Sequence, residues 1–225
     1  MKKSSGYHSS LFLYMNIAFA ACLLLSNLVA GKLISVFGVA LPAAVILFPV
    51  TYILGDIFTE VYGFKASRRV IWSGFACCIF AALVYMAVVA LPYPGYWTDQ
   101  SAYAVVLGTT PRILAASLAG YLFGEFLNAI VLSRMKVATK GRQLWGRTLL
   151  SSVVGVAFDT VIFINVAFLG TYSADVIWKL VLFQYIWKLC YEAALTPLIV
   201  FVIKKIKKFE GVDVFDHDVK YSPFN

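Results

Sequence analysis

The chain has 225 residues, of which 61% are hydrophobic and only 13% charged, with a mean hydropathy of +0.84 and a formal net charge of +8. That composition lies far outside the range of soluble domains and excludes a globular enzyme in water; lipid is the solvent it requires. A span needs about 20 apolar residues to cross a hydrocarbon core of about 30 Å, so this length holds about six spans, short connections and no separate soluble domain.

In chain order, apolar runs predict spans over residues 11–35, 41–62, 70–91, 112–133, 148–169 and 178–203, an all-α bundle of six transmembrane helices. Residues 1–10 form a short leading segment, 11–203 the membrane domain and 204–225 a tail that is first basic and then acidic. Lys2 and Lys3 ahead of the first run, with Ala18-Phe19-Ala20 inside it, resemble a secretory signal. The run continues through Ala21-Cys22-Leu23-Leu24-Leu25, too long for a signal core, so it is expected to be a retained helix.

Between the third and fourth spans, Pro92, Pro94 and Gly95 break the helix, while Tyr93, Tyr96 and Trp97 suit a lipid–water interface. Thr98 or Asp99 is placed to cap a short helix over 101–107, which reads either as a lid or as a passive interfacial segment. Ala116, Gly120 and Gly124 form a small-residue stripe on the fourth span, expected to pack within the chain; a homodimer is the alternative use. The tail after Lys208, with Glu210, Asp213, Asp216 and Asp218, reads as a disordered end.

Orientation follows from the cations, because basic loops stay in the cytoplasm. Six spans put 15 of the 19 Lys and Arg residues on one side: Lys2 and Lys3; Lys65, Arg68 and Arg69; Arg134, Lys136, Lys140, Arg142 and Arg147; and Lys204, Lys205, Lys207, Lys208 and Lys220. Both termini are therefore expected in the cytoplasm. The basic charge reports topology and contact with anionic lipid, and direct nucleic-acid binding is not expected. Cys22, Cys77, Cys78 and Cys190 fall inside spans, and His8 and His217 in the ends, so no disulfide framework, metal site or cofactor is expected.

Ionisable residues inside spans cost at least about 2.5–3.5 kcal/mol each on insertion scales and mark candidate sites. They are Asp56 and Glu60 on the second span, Glu125 with Asn128 on the fourth, Asp159 on the fifth, and Lys188 with Glu192 on the sixth. Helical spacing aligns Asp56 with Glu60, Ser117 with Tyr121, Glu125 and Asn128, Ser152 with Gly155 and Asp159, and Gln184 with Lys188 and Glu192. Four polar faces describe a central cavity for a small polar solute. Alternatives stay open for some members: Lys188 with Glu192 as an internal ion pair, Glu60 paired to Arg68 or Arg69, and Ser26-Asn27 as an interhelical contact. Lys32 and Arg112 read as residues flanking spans.

Particular runs also carry a family resemblance. They are Ser26-Asn27-Leu28-Val29-Ala30-Gly31-Lys32, Phe48-Pro49-Val50-Thr51-Tyr52-Ile53-Leu54-Gly55-Asp56-Ile57-Phe58-Thr59-Glu60-Val61-Tyr62-Gly63, Ala66-Ser67-Arg68-Arg69, Thr110-Pro111-Arg112-Ile113, Gly124-Glu125-Phe126-Leu127-Asn128, Phe158-Asp159-Thr160 and Gln184-Tyr185-Ile186-Trp187-Lys188. Together they resemble the queuosine precursor transporter family, also called the vitamin uptake transporter family. The likeness runs from about residue 11 to 203. Many relatives have Gly-Gln and then Asp in the fourth-span motif, so here the carboxylate is displaced by one turn, to Glu125.

The resemblance implies import of 7-deazaguanine compounds, the precursors of queuosine in transfer RNA. A carboxylate suits the neighbouring N–H groups of a guanine-like edge, Lys188, Asn128 or Gln184 suits its carbonyl, and Tyr52, Tyr121 or Tyr185 suits its ring face. A substrate-binding subunit energised by a separate ATPase is the competing reading within transport, since the chain has no Walker motif. An intramembrane enzyme built on Asp56 and Asp159 and a structural or sensor protein are the other classes weighed; the first lacks a metal motif and the second leaves four polar faces unexplained. The chain is expected not to be an enzyme.

Overall fold

The computed structural model describes residues 9–29, 32–36, 39–108 and 111–224. Its helices are α1 (Ser10–Val29), α2 (Phe48–Tyr62), α3 (Phe64–Ala90), α4 (Gln100–Leu107), α5 (Pro111–Ala138), α6 (Leu144–Phe168) and α7 (Ala174–Glu210), with a two-stranded hairpin of β1 (Leu33–Val36) and β2 (Val39–Pro42). Among the described residues five helical stretches are long and apolar enough to cross a membrane: α1, α3, Gln100–Ala138, α6 and α7. The chain is a helical, multi-pass membrane protein.

Polarity is inverted relative to a soluble domain. On α1, Phe12, Met15, Phe19, Leu23 and Ser26 recur every three or four residues and face inward. Leu13 and Ile17 beside them are exposed, as are Leu83 on α3 and Trp178, Leu182 and Phe201 on α7. Meanwhile Asp56, Glu60, Glu125, Asn128, Asp159 and Glu192 are buried. An apolar exterior around a polar interior is what lipid demands of a bundle.

The first two predicted spans need correction. The first was expected to run to residue 35, but α1 stops at Val29 and the chain then forms the hairpin, with Leu33 opposite Pro42 and Val36 opposite Val39. The second was expected from residue 41, but β2 continues to Pro42, a 3-10 turn covers Ala43–Ile46, and α2 spans only 15 residues. Proline explains the late start of the second helix: Pro42 forces Leu41 toward extended backbone, and Pro49, tolerated in a first helical turn, cannot sit farther inside one. At 1.5 Å per residue α2 is about 22 Å long, short of a full crossing. It lies at the centre, packed by α1, α3, α5 and α7.

The core joins α1 to Ile57, Phe58 and Val61 of α2 and to Ile199 and Ile203 of α7, with Phe12 meeting Phe58 edge-on at 5.2 Å. The small-residue stripe is an intramolecular seam. A Cβ on Gly124 would lie 2.7 Å from Asp159 Cβ, and one on Gly155 would lie 2.8 Å from Asn128 Cβ, so α5 and α6 approach backbone to backbone. Outside the bundle, α4 has no buried residue, in keeping with an interfacial helix; Asp99 occupies its cap position without a side-chain cap bond.

The tail is not a disordered end. Helix α7 runs to Glu210, and the chain beyond it crosses the basic ends of the other helices. Val214 N–H donates to Val61 O at 3.1 Å, Arg68 Nη1 to Ser222 O at 3.0 Å and Trp72 Nε1 to Pro223 O at 2.8 Å. Asp216 accepts from Phe64 N–H at 2.8 Å and Ser133 Oγ at 2.6 Å. Gly63, the cap position of α3, has no side chain to offer, so a tail aspartate supplies the anion for that helix start.

Candidate functional site

Four helices contribute side chains near their midpoints to one polar centre. Tyr52 and Asp56 come from α2, Glu125 and Asn128 from α5, Ser152 and Asp159 from α6, and Lys188 and Glu192 from α7. The Tyr52 hydroxyl stands within electrostatic reach of all four carboxylates. Lys188 Nζ donates to Asp159 Oδ2 at 2.6 Å, an interhelical ion pair, and Glu192 accepts from Ser152 Oγ at 3.1 Å. Lys188 thus pairs across to α6, whereas spacing alone also allowed a pair with Glu192 on its own helix.

Asn128 Nδ2 donates to Asp56 Oδ1 at 2.9 Å. Because a carboxylate accepts and does not donate, that bond fixes the amide so that its carbonyl is left over. Two acceptors, Asp56 Oδ2 and Asn128 Oδ1, are then buried with no hydrogen-bond partner among the described residues. Gln184 Oε1, one turn before Lys188, and Thr160 Oγ1 are likewise unpartnered. Leaving a buried acceptor unfilled costs about 1–3 kcal/mol, so the concentration of such groups here points to a ligand.

Glycines let the acids in. A Cβ on Gly55 would lie 2.9 Å from Glu125 Oε2, and one on Gly120 would lie 2.8 Å from Asp159 Oδ1. Both carboxylates therefore sit against a neighbouring backbone where any larger residue would displace them.

The other predicted residues lie around this centre or away from it. Tyr121 donates its hydroxyl to Ile71 O at 3.1 Å and packs near Phe19. Tyr185 donates to Val153 O at 3.3 Å along the α6–α7 seam. Asn27 accepts from Ser117 Oγ at 3.0 Å and donates to Cys78 Sγ at 3.3 Å; it lines a cleft of about 40 Å³ with Leu24, Leu28 and Leu114. That cleft is far below the about 300–1,000 Å³ of small-molecule pockets.

Glu60 belongs to a second cluster, at the basic end. Its carboxylate accepts from Arg147 Nη2 at 2.6 Å and Nε at 3.1 Å and from Lys207 Nζ at 2.5 Å, with Lys136 Nζ at 3.7 Å. Lys136 and Lys207 also hold Asp213 of the tail, at 2.5 and 2.9 Å. Burial opposes the Asp213 charge, but the hydrogen bonds from these lysines outweigh it and keep the carboxyl below its usual range. Sequence spacing pointed to Arg68 and Arg69 as partners for Glu60 and counted Arg147, Lys136 and Lys207 as topological charges only. Arg112, expected merely to flank its span, donates to Val166 O at 2.6 Å and to Leu169 O, closing the end of α6.

A multi-pass bundle with an apolar exterior, a buried polar centre and unfilled buried acceptors has the make-up of a membrane transport protein. The family profile described as "Putative vitamin uptake transporter" matches residues 42–202, and the chain belongs to that family. It is 30% identical over 165 residues to the "Probable queuosine precursor transporter" of Bacillus subtilis, covering 73% of this chain and 71% of that one. To the "Queuosine precursor transporter" of Escherichia coli it is 28% identical over 143 residues, covering 64% and 62%. No solved structure matches the chain at a significant level.

Proposed function

We propose that this protein imports queuosine precursors across the cell membrane for transfer RNA queuosine salvage, the substrate being a 7-deazaguanine such as 7-cyano-7-deazaguanine, its aminomethyl form or queuine. The observation that carries this reading is the two unfilled acceptors on hydrogen-bonded side chains, Asp56 Oδ2 and Asn128 Oδ1. A guanine edge presents neighbouring N–H donors that match two acceptors, while its carbonyl suits Lys188 or Gln184 and its ring face suits Tyr52. The names of the two relatives favour the same substrate class. In this reading Glu60 holds the basic end of the bundle closed, and Asp56, Glu125, Asn128, Asp159, Gln184, Lys188 and Glu192 surround the substrate, with Tyr121, Tyr185 and Asn27 shaping the approach.

The crossing count is six. The hairpin, the 3-10 turn and α2 together make the second crossing, which brings the docked tail to the same end as the start of α1, where Phe12 meets Tyr62 of α2 at 5.0 Å. The basic residues at that end favour a cytoplasmic location for both termini. In a cell with two membranes the protein resides in the inner one. The alternative within transport, a substrate-binding subunit driven by a separate ATPase, has no particular residue in its favour. The test is a strain unable to make queuosine or its precursors and lacking its own importer: expression of this chain should restore queuosine in transfer RNA from an external deazaguanine. Absence of queuosine with protein in the membrane would contradict the reading.

A further inference from the structure

Acidic side chains outnumber basic ones at the polar centre. Among the described residues Asp56, Glu125, Asp159 and Glu192 share the site with Lys188, which is paired to Asp159. Asn128 serves one oxygen of Asp56 and Ser152 one oxygen of Glu192. Glu125 is different: it is only 4% exposed, and among the described residues it forms no ion pair and accepts no hydrogen bond. Its carboxylate is pressed against Gly55, one residue before Asp56.

We infer that the site is built for a ligand that brings its own positive charge, and that Glu125 receives it: the substrate is a deazaguanine bearing an ammonium, preferred over a neutral one. The inference rests on the deazaguanine reading above and adds a substrate class to it. A ligand ammonium entering this centre gains a carboxylate that has no other partner among the described residues, whereas a neutral ligand leaves it buried without one. Asp56 Oδ2 and Asn128 Oδ1 remain for the guanine edge, so one ligand can meet both features. A metal ion fits less well, because no three His, Cys, Asp or Glu side chains among the described residues come together as ligands for one.

The experiment measures binding of 7-aminomethyl-, 7-cyano- and 7-hydroxymethyl-7-deazaguanine to the purified full chain in detergent, and repeats it on Glu125→Gln after checking its melting temperature. One charge-assisted hydrogen bond corresponds to about tenfold or more in affinity, so the aminomethyl compound should bind at least about tenfold more tightly than the other two. In Glu125→Gln the ratio of aminomethyl to neutral affinities should fall toward one. Equal affinity of the wild-type protein for all three, or a preference for a neutral one, overturns the inference while leaving the deazaguanine reading intact; this comparison needs no variant to fold. An undiminished preference in folded Glu125→Gln overturns the role of Glu125. Binding of none of the three contradicts the deazaguanine reading itself and the inference with it.

Discussion

Lys188 and Asp159 form an ion pair at the polar centre, at 2.6 Å, with side chains only 16% and 10% exposed. Removing one partner of such a pair strands the other and costs about 3–5 kcal/mol. Lys188→Ala should therefore lower both melting temperature and uptake, and adding Asp159→Asn should restore the melting temperature without restoring uptake if Lys188 also serves the substrate. Recovery of uptake in the double variant would reduce the pair to a structural tie. Glu60 gives the contrasting case: Glu60→Gln removes the counter-ion that Arg147 and Lys207 share, so membrane abundance and thermal stability should fall by more than any loss of affinity for substrate. Residues of this kind were legible in the sequence because lipid penalises every mid-span charge. Their partners were not: Arg147 and Lys136 read as loop cations, since only the folded chain brings them beneath Glu60.

At the scale of elements, the α5–α6 seam and the docked tail set the geometry. Gly124→Ala places a methyl 2.7 Å from Asp159 Cβ, and overpacking of this sort costs about 1–3 kcal/mol. It should spread the two helices, move Asp159 from Lys188 and reduce uptake in protein that still reaches the membrane, read by comparing transport with abundance. The tail has its own dependence on pH. Because the folded-state value for Asp213 is lowered, its contribution to docking is complete above about pH 4 and is lost as pH falls through that lowered value. Protease cleavage of the 212–224 segment should stay slow at neutral pH and become fast only in strong acid. Gly63→Ala should release the tail at neutral pH, because Gly63 has φ of +83° and an added Cβ would meet Val214 at 2.8 Å. The long helices were legible from hydropathy, whereas the hairpin was hidden in it, since apolar strand and apolar helix look alike without proline to separate them. Tail docking was hidden for another reason: it rests on backbone carbonyls and one capping aspartate, which composition does not register.

For the whole molecule, inverted polarity, basic clustering and family membership agree on a membrane carrier with a polar interior. A reporter after Lys208 should read cytoplasmic, and a cysteine introduced at Thr98 should be labelled from outside; an external C-terminus would contradict the six crossings. The central claim is that this chain alone carries a deazaguanine through that interior. Its most direct test is purified protein reconstituted into liposomes without any ATPase and offered labelled 7-aminomethyl-7-deazaguanine. The account predicts saturable entry that is competed by unlabelled compound and lost in the Lys188→Ala and Asp159→Asn double variant. Entry no faster than into protein-free liposomes, with folded and correctly inserted protein, would contradict it.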